Sequence, residues 1–244
     1  MKFVFKKLLQ QYLKYLAKLT LLIHRPQIIA VAGSINKTFA KEEICRVLNE
    51  AGLSARSNPR AFNTEIGLSL SILNISSGYN SYLKWLPVIL RAPSRIFQKN
   101  FPQFLILEFG ISDPGDMKFL LSVVKPNITI ITDITQRYIE GFDNVEELVG
   151  EYEYLVSHVK GLIILNYDNM RVRELAKISR AKAVFFGLED GADWKGELVG
   201  NNIYQVVKIQ GQNKEFKLIR HGIHHVYSLL IGQIIAYVSQ KKEV

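Results

Sequence analysis

The 244-residue chain reads as an α/β protein, a phosphate-loop-type, doubly wound and mostly parallel sheet preceded by a basic amphipathic helix. Three observations predict this. An apolar run at 28–32 leads into Gly33-Ser34-Ile35-Asn36-Lys37-Thr38 and then into a helical pattern. From residue 101 onward, short continuous apolar runs alternate with helical ones, which is how a parallel sheet covered on both faces is written in sequence. The first 25 residues hold Lys2, Lys6, Lys7, Lys14, Lys18 and Arg25 and no acidic residue.

Composition sets the frame. With 48% hydrophobic and 22% charged residues, the chain has the make-up of a folded domain with a full core. The net charge of +9 is carried by the front: residues 1–103 hold 15 Lys/Arg against 4 Asp/Glu, and residues 104–244 hold 16 against 18. One cysteine, Cys45, excludes an internal disulfide and fits a reducing compartment.

Within 1–25, Lys7, Gln11, Lys14 and Lys18 fall at helical spacing, with Leu8, Leu9, Tyr12, Leu13, Leu16, Leu19 and Ile23 filling much of the remaining surface. The lysines interrupt any run long enough to span a bilayer or to serve as a cleavable signal. Two readings stay open: adsorption to an anionic membrane surface, and docking on the chain's own domain or a partner. The expected location is cytoplasmic, with peripheral contact at the inner face of the cell membrane under the first reading.

In the loop after the first strand, small Gly33 and Ser34 let backbone N–H groups turn toward a polyphosphate, and the following helix adds its positive dipole end. Lys37 is placed to reach phosphate oxygens and Thr38 to offer a hydroxyl to Mg²⁺. Asn36 stands where such loops usually carry a second glycine, and a positive φ there suits Asn better than most residues. The competing reading is a plain strand-to-helix turn with an exposed lysine.

Residues 79–103 form a basic, aromatic insertion with Lys84, Arg91, Arg95 and Lys99 among large apolar side chains. Membrane contact and simple core packing explain it equally well. Nucleic acid ranks below both, because no recognition signature accompanies the charge. Strands follow at 104–109, 128–132, 162–166 and 183–186, with helices at 116–124, 145–160 and 170–179. Residues 187–213 read as a turn-rich stretch, and a last helix runs over 224–240. Glu108, Asp133, Asn166 and Asp168 fall at carboxyl ends of strands, where such sheets bind ligands. Glu146, Glu147, Glu151 and Glu153 read as a solvated helix face, and His221, His224 and His225 are poorly spaced for one metal.

The ordered motifs Gly33 to Thr38, Asn63-Thr64-Glu65-Ile66-Gly67, Leu107-Glu108-Phe109-Gly110, Lys125-Pro126-Asn127 and Leu165-Asn166-Tyr167-Asp168, strengthened by Pro114-Gly115-Asp116-Met117 and Ile139-Glu140-Gly141-Phe142, together resemble the central ATP-binding domain of the Mur ligases. The branch adding D-alanyl-D-alanine to UDP-N-acetylmuramoyl-tripeptide is the most similar. The resemblance covers about residues 26–240. It implies that Lys37 and Thr38 hold ATP phosphates and Mg²⁺, that Glu108 helps hold the metal, and that Asn63 and Thr64 face the γ-phosphate and the nucleotide-sugar substrate. Asn166 and His225 fall in motifs on the nucleotide side. Family chemistry converts a substrate carboxylate to an acyl-phosphate, which an amine then displaces.

Departures from the family pattern are several. Asn36 replaces Gly, Phe39 a small hydroxyl residue and Tyr138 a metal-linked His. Tyr152 is expected at the position of a carbamylated Lys. His225 and Ser228 replace two Asn in Gly222-Ile-His-His-Val-Tyr-Ser228. Against the family arrangement, the UDP-sugar domain and the C-terminal ligase domain are expected to be absent. The expectation is therefore an ATP- and Mg²⁺-binding, Mur-ligase-like domain of peptidoglycan-precursor synthesis, impaired or dependent on a separate ligase subunit, with a UDP-muramyl peptide as possible substrate. The alternative is a catalytically silent, membrane-associated scaffold.

Overall fold

Every residue of β3 (Phe104–Glu108) and β4 (Ile128–Ile131) is buried, as are all but the first of β1 (Gln27–Ala32) and β5 (Leu162–Asn166). Strands of this kind must be covered on both faces, and the side-chain period of two divides them between two cores. Ile28, Ala30 and Ala32 point into one core and Ile29 and Val31 into the other; Leu105 and Leu107 oppose Phe104 and Ile106 in the same way. The computed structural model describes residues 2–79, 81–136, 141–199, 205–209, 215–218 and 222–241.

The sheet has the order β2-β3-β1-β4-β5-β6-β7-β8-β9, with β2 (Ala55–Ser57), β6 (Lys182–Gly187), β7 (Trp194–Val199), β8 (Gln205–Ile209) and β9 (Glu215–Leu218) added to the four buried strands. Pairings are parallel from β2 through β7 and antiparallel from β7 to β9. The sheet is thus mostly parallel and doubly wound, as its sequence predicts. The β7–β9 ribbon corrects the turn-rich reading of 187–213. Gly196 interrupts the apolar pattern of β7, and a Cβ there would lie 3.2 Å from both Leu188 and Leu230, so the residue that hides the strand lets the C-terminal helix lie close.

On one face, α2 (Lys37–Glu50) packs against α8 (Ile223–Gln240) through Ala40, Ile44 and Leu48 and Leu230, Ile231 and Ile234. On the other lie α3 (Glu65–Leu73), α5 (Asp116–Val123) and α6 (Val145–His158). Asn144 caps α6 by accepting from the Glu147 N–H at 2.9 Å. The predicted helix over 170–179 is a short α7 (Met170–Glu174), capped by Asn169, followed by a 3-10 turn Leu175–Lys177. Nor is the acidic face of α6 merely solvated. Glu151 accepts from the Gly115 N–H at 2.7 Å and the Met117 N–H at 2.8 Å, satisfying donors that the start of α5 leaves without an intrahelical partner.

α1 (Lys2–His24) docks on this second layer. Leu9, Leu13, Ala17 and Thr20 form its buried stripe; Leu9 and Leu13 meet Leu70 and Leu73 of α3 and Trp85 and Val88 of α4 (Tyr82–Arg91). Tyr12 donates to the Ile89 carbonyl at 2.9 Å, and the His24 ring stacks on Phe101. The basic helix is therefore an integral part of the fold. Leu13→Ala, at a fully buried position, should cost about 2–5 kcal/mol of stability, read from the urea midpoint. An unchanged midpoint would mean that α1 is only loosely held.

Candidate functional site

Because β1, β3, β4 and β5 are parallel, their carboxyl ends share one edge, where the sequence-predicted residues gather. The chain leaves β1 through Gly33, whose φ of +132° and crowded position exclude a side chain: a Cβ would fall 2.2 Å from the Thr132 hydroxyl. The Ser34 N–H donates to the Asp133 carbonyl at 2.7 Å, and the Thr132 hydroxyl donates to the Ile35 carbonyl at 2.6 Å, so the loop is held against the end of β4. Asn36 sits in the left-handed region, φ 65° and ψ 1°, immediately before α2. The loop geometry is preserved there without the usual glycine, by one of the few side chains that tolerate that backbone.

Lys37 folds back on its own loop, donating to the Gly33 carbonyl at 2.5 Å and the Ser34 carbonyl at 3.2 Å. Burial lowers the pKa of its ammonium, and the Glu108 charge offsets part of that effect. Thr38 donates to Glu108 Oε2 at 3.2 Å.

Glu108 closes β3 and collects the most bonds. Lys41 Nζ lies 2.9 Å from its Oε2 and donates also to the Asn58 carbonyl, while Asn63 Nδ2 donates to Oε1 at 3.0 Å. The Glu108 N–H donates to Asn58 Oδ1 at 2.9 Å. Burial pushes the carboxyl upward, but hydrogen bonding and charge from Lys41, the Asn63 amide and the nearby Lys37 outweigh it and hold the group below its ordinary value. Gly110 leaves room for this arrangement, since a Cβ there would strike the Asn63 amide at 2.7 Å. Thr64 stands exposed at the N-cap of α3 with no side-chain cap bond.

Lys41, 2% exposed and paired with Glu108, is the residue of this cluster that sequence reasoning passed over. The signal was present, because Lys41 shares a helical face with Ile44 and Leu48, where a charge is tolerated only with a buried partner. As a metal site, Thr38 and Glu108 supply one hydroxyl and one carboxylate, a set that fits Mg²⁺ only if phosphate oxygens and water complete the shell. Among the described residues no group of three or more His, Cys, Asp or Glu could hold a metal alone.

Around the loop, Tyr152 is 1% exposed, with its hydroxyl toward Ser34 and the Gly33 backbone; burial raises its pKa, so it stays neutral. Asp133 is also raised, by burial and against the opposing Asn169 hydrogen bond. Asn166 is buried, its amide donating to the Thr132 carbonyl at 2.9 Å and its oxygen accepting from the Asp168 N–H at 3.1 Å. Asp168 accepts from the Leu188 and Glu189 N–H groups and from the Tyr227 hydroxyl at 2.8 Å. Phe39, His224 and His225 form an aromatic cluster where α2 and α8 begin, with centroids 4.2–5.0 Å apart. Tyr138 and His221 lie outside the described residues, as do Ile139 and Glu140.

A parallel sheet with a glycine-led loop between a central strand and its helix is a phosphate-loop-type α/β fold. Within that class the chain belongs to the Mur ligase family: the family model of the Mur ligase middle domain matches residues 31–236. Among curated relatives, the UDP-N-acetylmuramoyl-tripeptide–D-alanyl-D-alanine ligase of Synechocystis sp. is 28% identical over 180 residues, covering 72% of this chain and 34% of the relative. Its counterpart in Buchnera aphidicola (Baizongia pistaciae) is 23% identical over 215 residues, covering 86% and 42%. Among solved structures, MurF ligase from Thermotoga maritima in complex with ADP aligns with a TM-score of 0.75 at 19% identity, covering 96% of this chain and 50% of that one. MurF from Acinetobacter baumannii aligns at 0.73 with 15% identity, covering 96% and 46%. The chain therefore spans about a third to two-fifths of the curated relatives' length.

Two outcomes follow from this geometry. Lys41→Met leaves Glu108 buried without its cation and should cost about 3–5 kcal/mol at neutral pH. Glu108 is held below its ordinary 4.5, so its contribution is present above that value and lost as pH falls through the lowered one. The gap between the variant and the parent should accordingly narrow in acid, measured by urea denaturation across pH; a pH-independent gap would deny the ion pair its role. At Asn36, substitution by Ala should cost about 1 kcal/mol and substitution by Gly should be close to neutral, since only the former is strained at φ 65°. Equal midpoints for the two variants would contradict the left-handed assignment.

Proposed function

We propose that this chain is a Mur-ligase-like ATP- and Mg²⁺-binding domain, related to the ATP-dependent peptide-bond-forming ligases of peptidoglycan-precursor synthesis. The observation that carries the reading is the Gly33–Thr38 loop, with Asn36 left-handed and the Thr38 hydroxyl 3.2 Å from Glu108. The first N–H groups of α2 have no intrahelical partner and suit an anion. Lys37 would exchange the Gly33 and Ser34 carbonyls for phosphate oxygens, a stronger, charge-assisted contact. Thr38 and Glu108 would hold Mg²⁺, for which the Thr38 hydroxyl must turn its proton away from Glu108. Bound there, the nucleotide and metal would supply the activating phosphoryl group and neutralise its charge. In this reading Asn63, bonded to Glu108, and Thr64 would face the γ-phosphate and acceptor, and Asn166 and His225, the latter in the cluster with Phe39 and His224, would lie on the nucleotide side.

The carboxylate substrate this reading expects is a UDP-muramyl peptide. In a second reading, a catalytically silent and membrane-associated scaffold, the silence is favoured by Tyr152. Where the family resemblance expects a carbamylated Lys, its buried phenol beside Gly33 and Ser34 would offer no amine, and burial keeps it protonated.

Calorimetric titration with ATP and Mg²⁺ separates the two. The first reading expects saturable binding that Lys37→Ala weakens roughly tenfold or more, on the scale of one charge-assisted bond. Turnover should be weak or absent for the isolated chain. No heat of binding from the folded protein would leave the scaffold reading standing.

A further inference from the structure

α1 has two apolar faces, and its own domain uses one of them. Opposite the buried stripe, Val4, Leu8, Tyr15, Leu19 and Leu22 recur at spacings of three, four and seven and face outward; Leu8 and Leu22 are each 66% exposed. α4, which shares a core cluster with α1, repeats the arrangement. Trp85 and Val88 are buried against α1 and α3, whereas Leu83, Leu86 and Leu90 project, Leu83 being 85% exposed. Phe97, at the end of the following 3-10 turn (Pro93–Phe97), is 72% exposed.

The segments that form this surface carry charge of one sign. Lys6, Lys18 and Arg25 on and beside α1, and Lys84, Arg91 and Lys99 on and beside α4, are all exposed, and neither 1–41 nor 66–107 contains an Asp or Glu. Among the described residues no helix is long and apolar enough to cross a membrane.

We propose that the outer faces of α1 and α4, with Phe97, form a docking surface for an anionic lipid bilayer, the leucines entering the interface and the cations meeting lipid phosphates. Two physical points favour a bilayer over a protein partner. Side chains that project so far need a matching pocket in a protein, whereas a fluid acyl boundary accepts them without one. A surface of mixed leucine, aromatic and lysine residues with no acid is the composition that adsorbs to anionic headgroups. The docked inner face makes α1 part of a rigid platform rather than a detachable anchor, so deletion of residues 1–25 would confound unfolding with release.

The test uses the whole chain and vesicles of equimolar phosphatidylglycerol and phosphatidylcholine, with pure phosphatidylcholine vesicles as control. Sedimentation should show binding to the anionic vesicles, weakened by rising NaCl and roughly tenfold or more weaker on neutral ones. Leu83→Asp/Leu90→Asp and, separately, Leu8→Asp/Leu22→Asp should each lower vesicle affinity about tenfold or more while retaining the parent's circular dichroism and urea midpoint. These positions are exposed and lie outside the Gly33–Thr38 loop and its hydrogen-bond partners, so ATP titration of the same variants reports on the nucleotide site independently. Equal binding to both lipid compositions, or full binding by both double variants, would overturn the proposal. A parent that ignores vesicles but is dimeric, and becomes monomeric in the Asp variants, would reassign the face to self-association; a monomer that ignores vesicles would equally sink the bilayer reading.

Discussion

The buried carboxylate of Glu108 organises the edge of the sheet on which everything else depends. An ionised carboxylate away from water is expensive unless paired and fully hydrogen-bonded. Here Lys41 and Thr38 reach it from α2, Asn63 from the segment before α3, and Asn58 holds its backbone. One charge therefore sets where α2 begins relative to β3, which in turn places the Gly33–Thr38 loop. The same bonds mean that a cation arriving at Glu108 would share its oxygens with the Lys41 ammonium, an internal cation already 2.9 Å away.

A second set of contacts fixes the other side of the loop by close approach rather than by charge. Gly33 lies against Thr132 and Asp133, and Tyr152 fills the space beside it from α6. Further along the edge, Asp168 ties β5 to the segment after β6 and to Tyr227 of α8. Burial and the Asp168 carboxylate both favour the neutral phenol at Tyr227, so the bond persists as a donor from Tyr to Asp. These neutral and singly charged contacts hold the shape of the edge on both sides of the loop.

On the far layer, α1 shows how one amphipathic pattern serves two surfaces. Its inner stripe adds a third small core with α3 and α4, and its outer stripe remains apolar although solvent surrounds it. Mean composition could not separate these roles, because both stripes use leucine. Lys14 makes the same point from the polar side. It falls on the lysine face by spacing, yet it is half-buried over the Phe119 ring, 5.4 Å from its centroid.

The amino-acid sequence by itself determined the parts whose signals are local. The apolar runs of β1, β3, β4 and β5 exclude any environment but a doubly covered sheet, Gly33 to Thr38 marks the turn into α2, and the ordered motifs carry the family. Tertiary structure alone decided that Lys41 pairs with Glu108 across 67 residues, that Glu151 caps a different helix, and that 194–218 contributes strands. It also decided which face of α1 is covered. The reason is physical: periodicity reports which side of an element is apolar, whereas the partner of a buried charge or of a second apolar face is chosen by whatever residue the folded chain brings within contact distance.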